Sequence, residues 1–193
     1  ENETLQLSRY YYKEKLKNRT PAATYEVKTV SQPDYQQYSA EMMLQGFAQG
    51  RYLIIATNTA DFLTDQNEDG LTINPVNLNV YGLSFLARSG DDSKTMLVYV
   101  TDRITGKPVE GAKVEAYSTP YSSAKRANVD KLQATYTTAK DGAATVVLRG
   151  KDNSYSSYIN KLKISHGSKY VVGAPNIYGY GRADSQSQNV VFF

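Results

Sequence analysis

The run Asp65-Gln66-Asn67-Glu68-Asp69-Gly70 is the part of this chain best suited to hold a metal ion. Asp65, Asn67 and Asp69 stand at alternate positions, where three oxygen-bearing side chains can converge on one hard cation. The glycine that follows permits a sharp bend. The pattern then breaks. A calcium loop of this kind needs a bidentate Glu at its twelfth position and an aliphatic residue at its eighth, and Val76 and Thr72 stand there. No helical periodicity flanks the run. The preferred reading is a polar linker, with Asp65, Asn67 and Asp69 as the one metal candidate.

The other reactive side chains are sparse. His166 is the only histidine, and beside Gly167 it is expected at an exposed hairpin tip with no second histidine to share a metal. A Ser–His–Asp set is assembled in space rather than in sequence, but no stretch here has the form of a nucleophile elbow. Asp91-Asp92 falls in an expected turn, facing water, and no acid stands in the apolar setting that a catalytic carboxylate pair would need. The absence of cysteine excludes disulfides, thiolate metal sites and a Cys nucleophile. Tyr10–Tyr12, Tyr178 and Tyr180 have the ring faces to stack on sugars or peptides. With 17 Tyr, 5 Phe and no Trp, the preferred reading is that tyrosines fill core positions that other aromatics would otherwise take. No residue is assigned to catalysis or to a cofactor, and the expectation is a chain without enzymatic activity.

Charge narrows the partners. The formal net charge is +3, with 22 Lys and Arg scattered among 19 Asp and Glu. A nucleic-acid binder concentrates its basic residues in a stripe. The densest group here, Lys13, Lys15, Lys17 and Arg19, is interrupted by Glu14 and reads as a solvated face, so no nucleic-acid partner is expected. No apolar run reaches the ~18 residues of a membrane span. The opening Glu1–Leu7 lacks the basic and apolar regions of a signal peptide.

Alternation points to strands. Residues 1–20 fit a short helix, with Leu5, Tyr12 and Leu16 near one face, or a weak strand, and Pro21 ends either. Thr24–Val30 alternates as a strand does. Ser39–Asn58 predicts two strands broken by Gln45–Gly50, the second of them, Arg51–Thr57, apolar enough to be central. The polar stretch Thr59–Pro75 predicts a long connection and a domain boundary, followed by a strand over Val76–Ser89. Ser89–Asp92 turns the chain into a strand over Lys94–Asp102, with Leu97, Tyr99 and Thr101 on one face. In Asp102–Tyr117 the chain leaves that strand, turns a tight corner at Thr105–Pro108, bends again at Glu110-Gly111 and starts a new strand at Ala112. Asp141-Gly142 predicts a hairpin between Tyr136–Thr138 and Ala144–Leu148, and His166–Ser168 predicts a second. Pro175–Gln188 reads as a loop before a last strand in Gln188–Phe193. About seven strands in roughly 118 residues, with a turn signal every 8–15 residues or so, argue a β-sandwich.

Two stretches carry a resemblance. In Pro33–Phe62, the residues Asp34, Tyr35, Gln36, Ser39, Glu41, Gly50, Tyr52 and Phe62 fit the end of a macroglobulin domain in bacterial alpha-2-macroglobulin-like proteins. Leu83 with Arg88-Ser89 resembles the start of the next such domain. The same is true of Val100, Asp102, Thr105-Gly106, Pro108-Val109, Gly111-Ala112 and Val114. The second motif also resembles carboxypeptidase-regulatory-like and other immunoglobulin-like modules of surface proteins and transporters. The order, one domain ending and another beginning, favours the macroglobulin family, in which the strand at Asn189–Phe193 would lead into a further domain.

The resemblance implies an all-β chain of immunoglobulin-like (macroglobulin) sandwich modules. Residues 1–63 would be the C-terminal part of one domain, 64–75 a linker and 76–193 a second domain. It implies a non-enzymatic structural piece of a bacterial protease inhibitor of the cell envelope, periplasmic, outer-membrane-associated or extracellular. Its partners would be neighbouring domains of the same longer chain and, through the parent protein, host or environmental proteases. The family's thioester needs a Cys, which this chain lacks, and no bait segment is recognisable, so no active residue carries over. The alternative is a ligand-binding module of a surface adhesin or transporter, taking glycan or peptide on tyrosine-rich loops.

Overall fold

The computed structural model describes residues 16, 18–28, 39–59, 73–92, 94–175 and 177. The chain is all-β and divides into two compact units, Glu1–Val80 and Tyr81–Phe193.

In the first unit, β1 (Gly50–Thr57) pairs antiparallel with β2 (Ile73–Val80), from Gly50 opposite Val80 to Thr57 opposite Ile73. Tyr52, Leu53, Ile54 and Ile55 make β1 apolar on both faces, and each is half-buried. The Tyr52 ring lies 4.8 Å from that of Phe47, and its hydroxyl donates to the Ala48 carbonyl at 2.8 Å. Three expectations change here. The strand expected from Thr24 is irregular over its described residues 24–28, with Val27 43% exposed. The strand expected from Ser39 is likewise irregular, and Met43 is 92% exposed. Alternation supplies a face, but a strand also needs a ladder partner for its backbone groups, and neither segment has one among the described residues. The third change concerns the boundary. The expected linker ended at Pro75 and the second domain began at 76, yet β2 starts at Ile73 and its ladder ties it to the first unit. Pro75 fits because, among the described residues, β2 has a strand on one side only, so the missing N–H breaks no second ladder there. The expected N-terminal helix or strand and the last strand at 188–193 lie outside the described residues, apart from Leu16 and residues 18–20.

Among its described residues the second unit holds seven principal strands in two antiparallel sheets. One sheet places β3 (Leu83–Ser89), β4 (Thr95–Asp102) and β9 (Ala143–Val147) in the order β3-β4-β9. The other places β5 (Lys113–Ser118), β8 (Lys131–Thr137), β10 (Lys161–His166) and β11 (Lys169–Gly173) in the order β11-β10-β5-β8. Two-residue strands β6 (Tyr121–Ser122) and β7 (Ala127–Asn128) form a side hairpin. Alternation in β4 buries Met96, Val98 and Val100 and leaves Leu97, Tyr99 and Thr101 on the opposite, half-exposed face. Met96, Val98 and Val100 meet Val114, Ala116, Leu162 and Ile164 of the facing sheet in one core with Leu83, Val146, Leu148 and Ile159. Each large aliphatic side chain so buried contributes about 1.5–3 kcal/mol.

The core is aliphatic, which corrects the expectation of a tyrosine-filled interior. Tyr81, Tyr136 and Tyr158 are only partly buried and pack against it from the rim. A phenol hydroxyl needs a polar partner or water, and the rim provides one. The Tyr136 hydroxyl accepts the Val147 N–H at 3.1 Å, stitching β8 to β9 at the open edges of the two sheets, and the Tyr158 hydroxyl donates to the Ile177 carbonyl.

The expected hairpin at Asp141-Gly142 is a second correction. The turn forms, with the Gly142 N–H donating to the Ala139 carbonyl at 2.9 Å and the Ala139 N–H to the Ala143 carbonyl at 2.8 Å. The flanking strands do not pair with each other: β8 pairs with β5 and β9 with β4. Turn chemistry fixes a local bend, whereas partner choice is decided by which sheet offers a free edge. By contrast, β10 and β11 pair across Gly167-Ser168, with His166 opposite Lys169, as the sequence predicts.

Candidate functional site

The polar residues of the second unit gather at chain reversals, and the stretch Val100–Tyr117 shows how. The Asp102 Oδ1 accepts hydrogen bonds from the Ile104 N–H (3.1 Å), the Thr105 N–H (2.9 Å) and the Thr105 hydroxyl (3.1 Å). The Gly106 N–H returns to the Asp102 carbonyl at 2.8 Å, and the Asp102 N–H reaches the Lys107 carbonyl at 2.9 Å. The other carboxylate oxygen of Asp102 pairs with the Lys169 ammonium of β11. The ammonium first, and then the N–H of Thr105, hold the Asp102 carboxyl well below the usual carboxylate range. Further along, the buried Thr138 locks the second bend. Its hydroxyl donates to the Val109 carbonyl at 2.6 Å and accepts the Ala112 N–H at 2.8 Å.

The same arrangement recurs at the other end of β4. The Asp92 Oδ1 accepts from the Lys94 N–H (3.0 Å), the Thr95 N–H (2.9 Å) and the Thr95 hydroxyl (2.7 Å). These bonds, the Thr95 hydroxyl first, lower the Asp92 carboxyl below its ordinary value. Both turns are Asp-x-x-Thr in sequence, Asp92 to Thr95 and Asp102 to Thr105. Sequence reasoning did not single out this spacing, although it is readable there: a short carboxylate reaches the N–H groups two and three residues on.

A charged group occupies the outer side of the four-stranded sheet. Asp130 pairs with the Lys161 ammonium at 2.5 Å and lies 3.7 Å from that of Lys163. The Lys163 ammonium sits 4.7 Å from the centre of the Tyr117 ring, and Lys113 pairs with Glu115 at 2.7 Å. The hydrogen bond to Glu115 raises the Lys113 ammonium, and partial burial, then Glu115, raises the Tyr117 phenol.

The residues expected to carry chemistry are not drawn together. Asp65, Asn67, Asp69, Tyr10–Tyr12, Tyr178 and Tyr180 lie outside the described residues. His166 ends β10, exposed, and its imidazole makes no hydrogen bond among the described residues. Asp91 is exposed in its turn, and Asp92 is committed to Thr95. Among the described residues no three of His, Cys, Asp and Glu come close enough to hold a metal, and no buried side-chain polar atom lacks a partner. What the assembled groups do chemically is hold backbone turns: Asp92, Asp102 and Asp141 accept backbone N–H groups within three residues of themselves. No family model, curated protein or solved structure matches this chain.

Proposed function

We propose that this chain is structural scaffold, two modules of a bacterial alpha-2-macroglobulin-like protease inhibitor of the cell envelope, working without chemistry of its own. The observation that carries the reading is how the residues of the family-like motif are used. Asp102 and Thr105 brace the first corner, Gly106 takes positive φ (68°) in it, and Pro108 bridges back to Thr101. Ala112 and Val114 then enter the core. Every one of them serves the crossing from the three-stranded to the four-stranded sheet. The three-on-four antiparallel arrangement supports an immunoglobulin-like module, although β8 joins the sheet of β5 rather than that of β3 and β4. Such a module acts by packing against its neighbours, which here would be further domains of a longer chain.

The test is made on the parent protein, captured from its cells with an antibody raised against this chain. The expected parent is several times longer than 193 residues. Mixed with an endopeptidase, it should retain the enzyme in a form that still hydrolyses small substrates but is shielded from a protein inhibitor. A parent no longer than this chain, or one that leaves the protease free, overturns the reading.

One observation favours a second reading, a module binding glycan or peptide. Tyr121 and Tyr155 are 66% and 75% exposed, and both belong to connections at the end of the sandwich where β5 leaves its sheet and β10 begins. Immobilised polysaccharides and peptides retaining the wild-type chain but not its Tyr121→Ala/Tyr155→Ala variant would favour this reading over scaffold.

A further inference from the structure

We propose that the β6–β7 hairpin is a specific cleavage site for endopeptidases that cut after Lys or Arg, and that the second unit stays folded afterwards as a nicked, two-chain sandwich. The inference rests on topology and does not depend on the scaffold reading.

The hairpin is an excursion. β5 and β8 pair directly beneath it, with Ser118 opposite Lys131, so residues 119–130 leave the sheet and return without interrupting its ladder. The hairpin has only two register pairs of its own, Tyr121 with Asn128 and Ser122 with Ala127. Residues 123–128 are all exposed. The tip is held by two hydrogen bonds of 3.4 Å, from the Lys125 N–H to the Ser122 hydroxyl and from the Arg126 N–H to the Ser123 carbonyl. Both lie beyond the usual range for such bonds. Arg126 has φ 48°, a left-handed conformation uncommon for a residue with a side chain. A protease binds its substrate extended, and opening this tip removes that strain rather than adding any. Lys125 and Arg126 have no carboxylate within ion-pair range among the described residues, so both side chains are free to enter a specificity pocket.

The other described cations of the unit are worse substrates. Arg88 lies in the β3–β4 ladder, and Lys94 is held by its N–H to Asp92 and by its carbonyl to the Leu148 N–H. Arg149 bridges to Tyr158, and Lys151 is in a turn closed at 2.9 Å by the Asn153 N–H on the Gly150 carbonyl and is followed by an acid. Lys113, Lys131, Lys161, Lys163 and Lys169 lie in the three ladders of the four-stranded sheet. Arg103 is inside the turn braced by Asp102, Lys107 is followed by proline, and Lys140 is in the turn closed by Gly142. In the favoured reaction, water adds across the Arg126–Ala127 peptide bond, leaving an Arg126 carboxylate and an Ala127 amine. Hydrolysis of Lys125–Arg126 is the equivalent event one residue earlier.

The pieces would remain interlocked. The N-terminal piece supplies β3, β4 and β5, and the C-terminal piece supplies β8 to β11. β5 lies between β10 and β8, and β4 carries β9, so both sheets are built from both pieces. Separating them requires opening the whole core.

The experiment is limited digestion of the full chain with trypsin under native conditions, read by mass and N-terminal sequence for bonds between residues 81 and 177. The first new N-terminus in that span is expected at Ala127 or Arg126, with pieces that co-elute on a native sizing column and separate in denaturant. An earlier cut elsewhere in the span, or pieces that part on the native column, overturns the proposal. The Lys125→Gln/Arg126→Gln variant should lose this product while keeping its thermal midpoint. A midpoint that falls would make the hairpin part of the fold and count equally against the proposal.

Discussion

Gly142→Ala should destabilise the second unit severely, and Gly106→Ala should not. Both glycines have left-handed backbones, φ 74° and 68°, so alanine at either carries the same conformational penalty, about 1–2 kcal/mol. Against this stands a gain of about 0.4–1 kcal/mol from the stiffer unfolded chain. At Gly106 nothing lies within 4 Å of the added Cβ, and the net cost is about 0–1.5 kcal/mol. At Gly142 the Cβ would stand 2.5 Å from the Val100 carbonyl oxygen and 3.0 Å from the Pro108 Cβ. That oxygen accepts the Val109 N–H at 3.0 Å, while the Val100 N–H donates to the Gly142 carbonyl at 2.8 Å. Either the turn moves and weakens the Val100–Gly142 bond, or the Val100 carbonyl moves and weakens its bond from Val109. One such bond is worth about 1 kcal/mol, and the packed site is strained by about 1–3 kcal/mol besides. The net is about 2–5 kcal/mol, against a total stability of about 5–15 kcal/mol for a domain. Hydrogen exchange at the amides of β4 reads the second unit alone, and the two variants should differ there by at least about 1.5 kcal/mol. Equal effects within about 0.5 kcal/mol would refute the claim that contact, rather than φ, makes Gly142 necessary.

Two further outcomes follow from the same corner. Thr138→Val keeps the shape of the side chain but leaves the buried Ala112 N–H and the part-buried Val109 carbonyl without the hydroxyl. It should cost about 1–3 kcal/mol in urea unfolding, with Thr138→Ser recovering most of the loss. The folded-state carboxyl of Asp102 is depressed below its ordinary 3.8, so its stabilising effect is fully present above that value and is lost as pH falls through the lower folded value. The wild type should therefore lose stability on acidification through this range, and Asp102→Asn should show a flatter acid limb in thermal melts between pH 5 and pH 2, roughly. An unchanged limb would mean that the Lys169 and Thr105 contacts do not hold the carboxylate in solution.

What could be read from sequence was what one strand or one turn decides locally. The buried parity of β4 follows from alternation, and the His166–Lys169 reversal from its glycine. The corner at Thr105–Pro108 follows from residues that set their own backbone angles. The tyrosines were harder, because a count of 17 says nothing about depth. The hydroxyl of Tyr136 takes its partner, the Val147 N–H, at the rim, which draws the ring outward. Thr24–Lys28 has the right alternation but no neighbouring strand among the described residues, and a strand's partner is supplied from elsewhere in the chain. The Asp-x-x-Thr turns were legible in principle, since their bonds span only three residues.

The Asp141-Gly142 turn shows where local reading ends. A hairpin and a sheet crossing can share the same four turn residues, because the turn fixes backbone angles and says nothing about the next partner. What separates them here is contact made far away in sequence. The carbonyl of Gly142 takes the N–H of Val100, which docks the turn on the end of β4 and sends Ala143–Val147 along that strand's free edge. On the other side, the Thr138 N–H donates to the Ala112 carbonyl at 3.0 Å, and its own carbonyl accepts the Gly111 N–H at 3.0 Å, which keeps the preceding residues on β5. The turn is thus pulled apart by two strands in different sheets, β4 and β5, which the stretch Val100–Val114 joins. The crossing at Asp102–Ala112 and the crossing at Thr138–Ala143 are one structure, each fixing the partner of the other. If that coupling is real, Thr138→Val and Gly142→Ala combined should cost measurably less than the sum of their separate effects, because the first loss already loosens what the second disrupts. Strict additivity would make the two crossings independent.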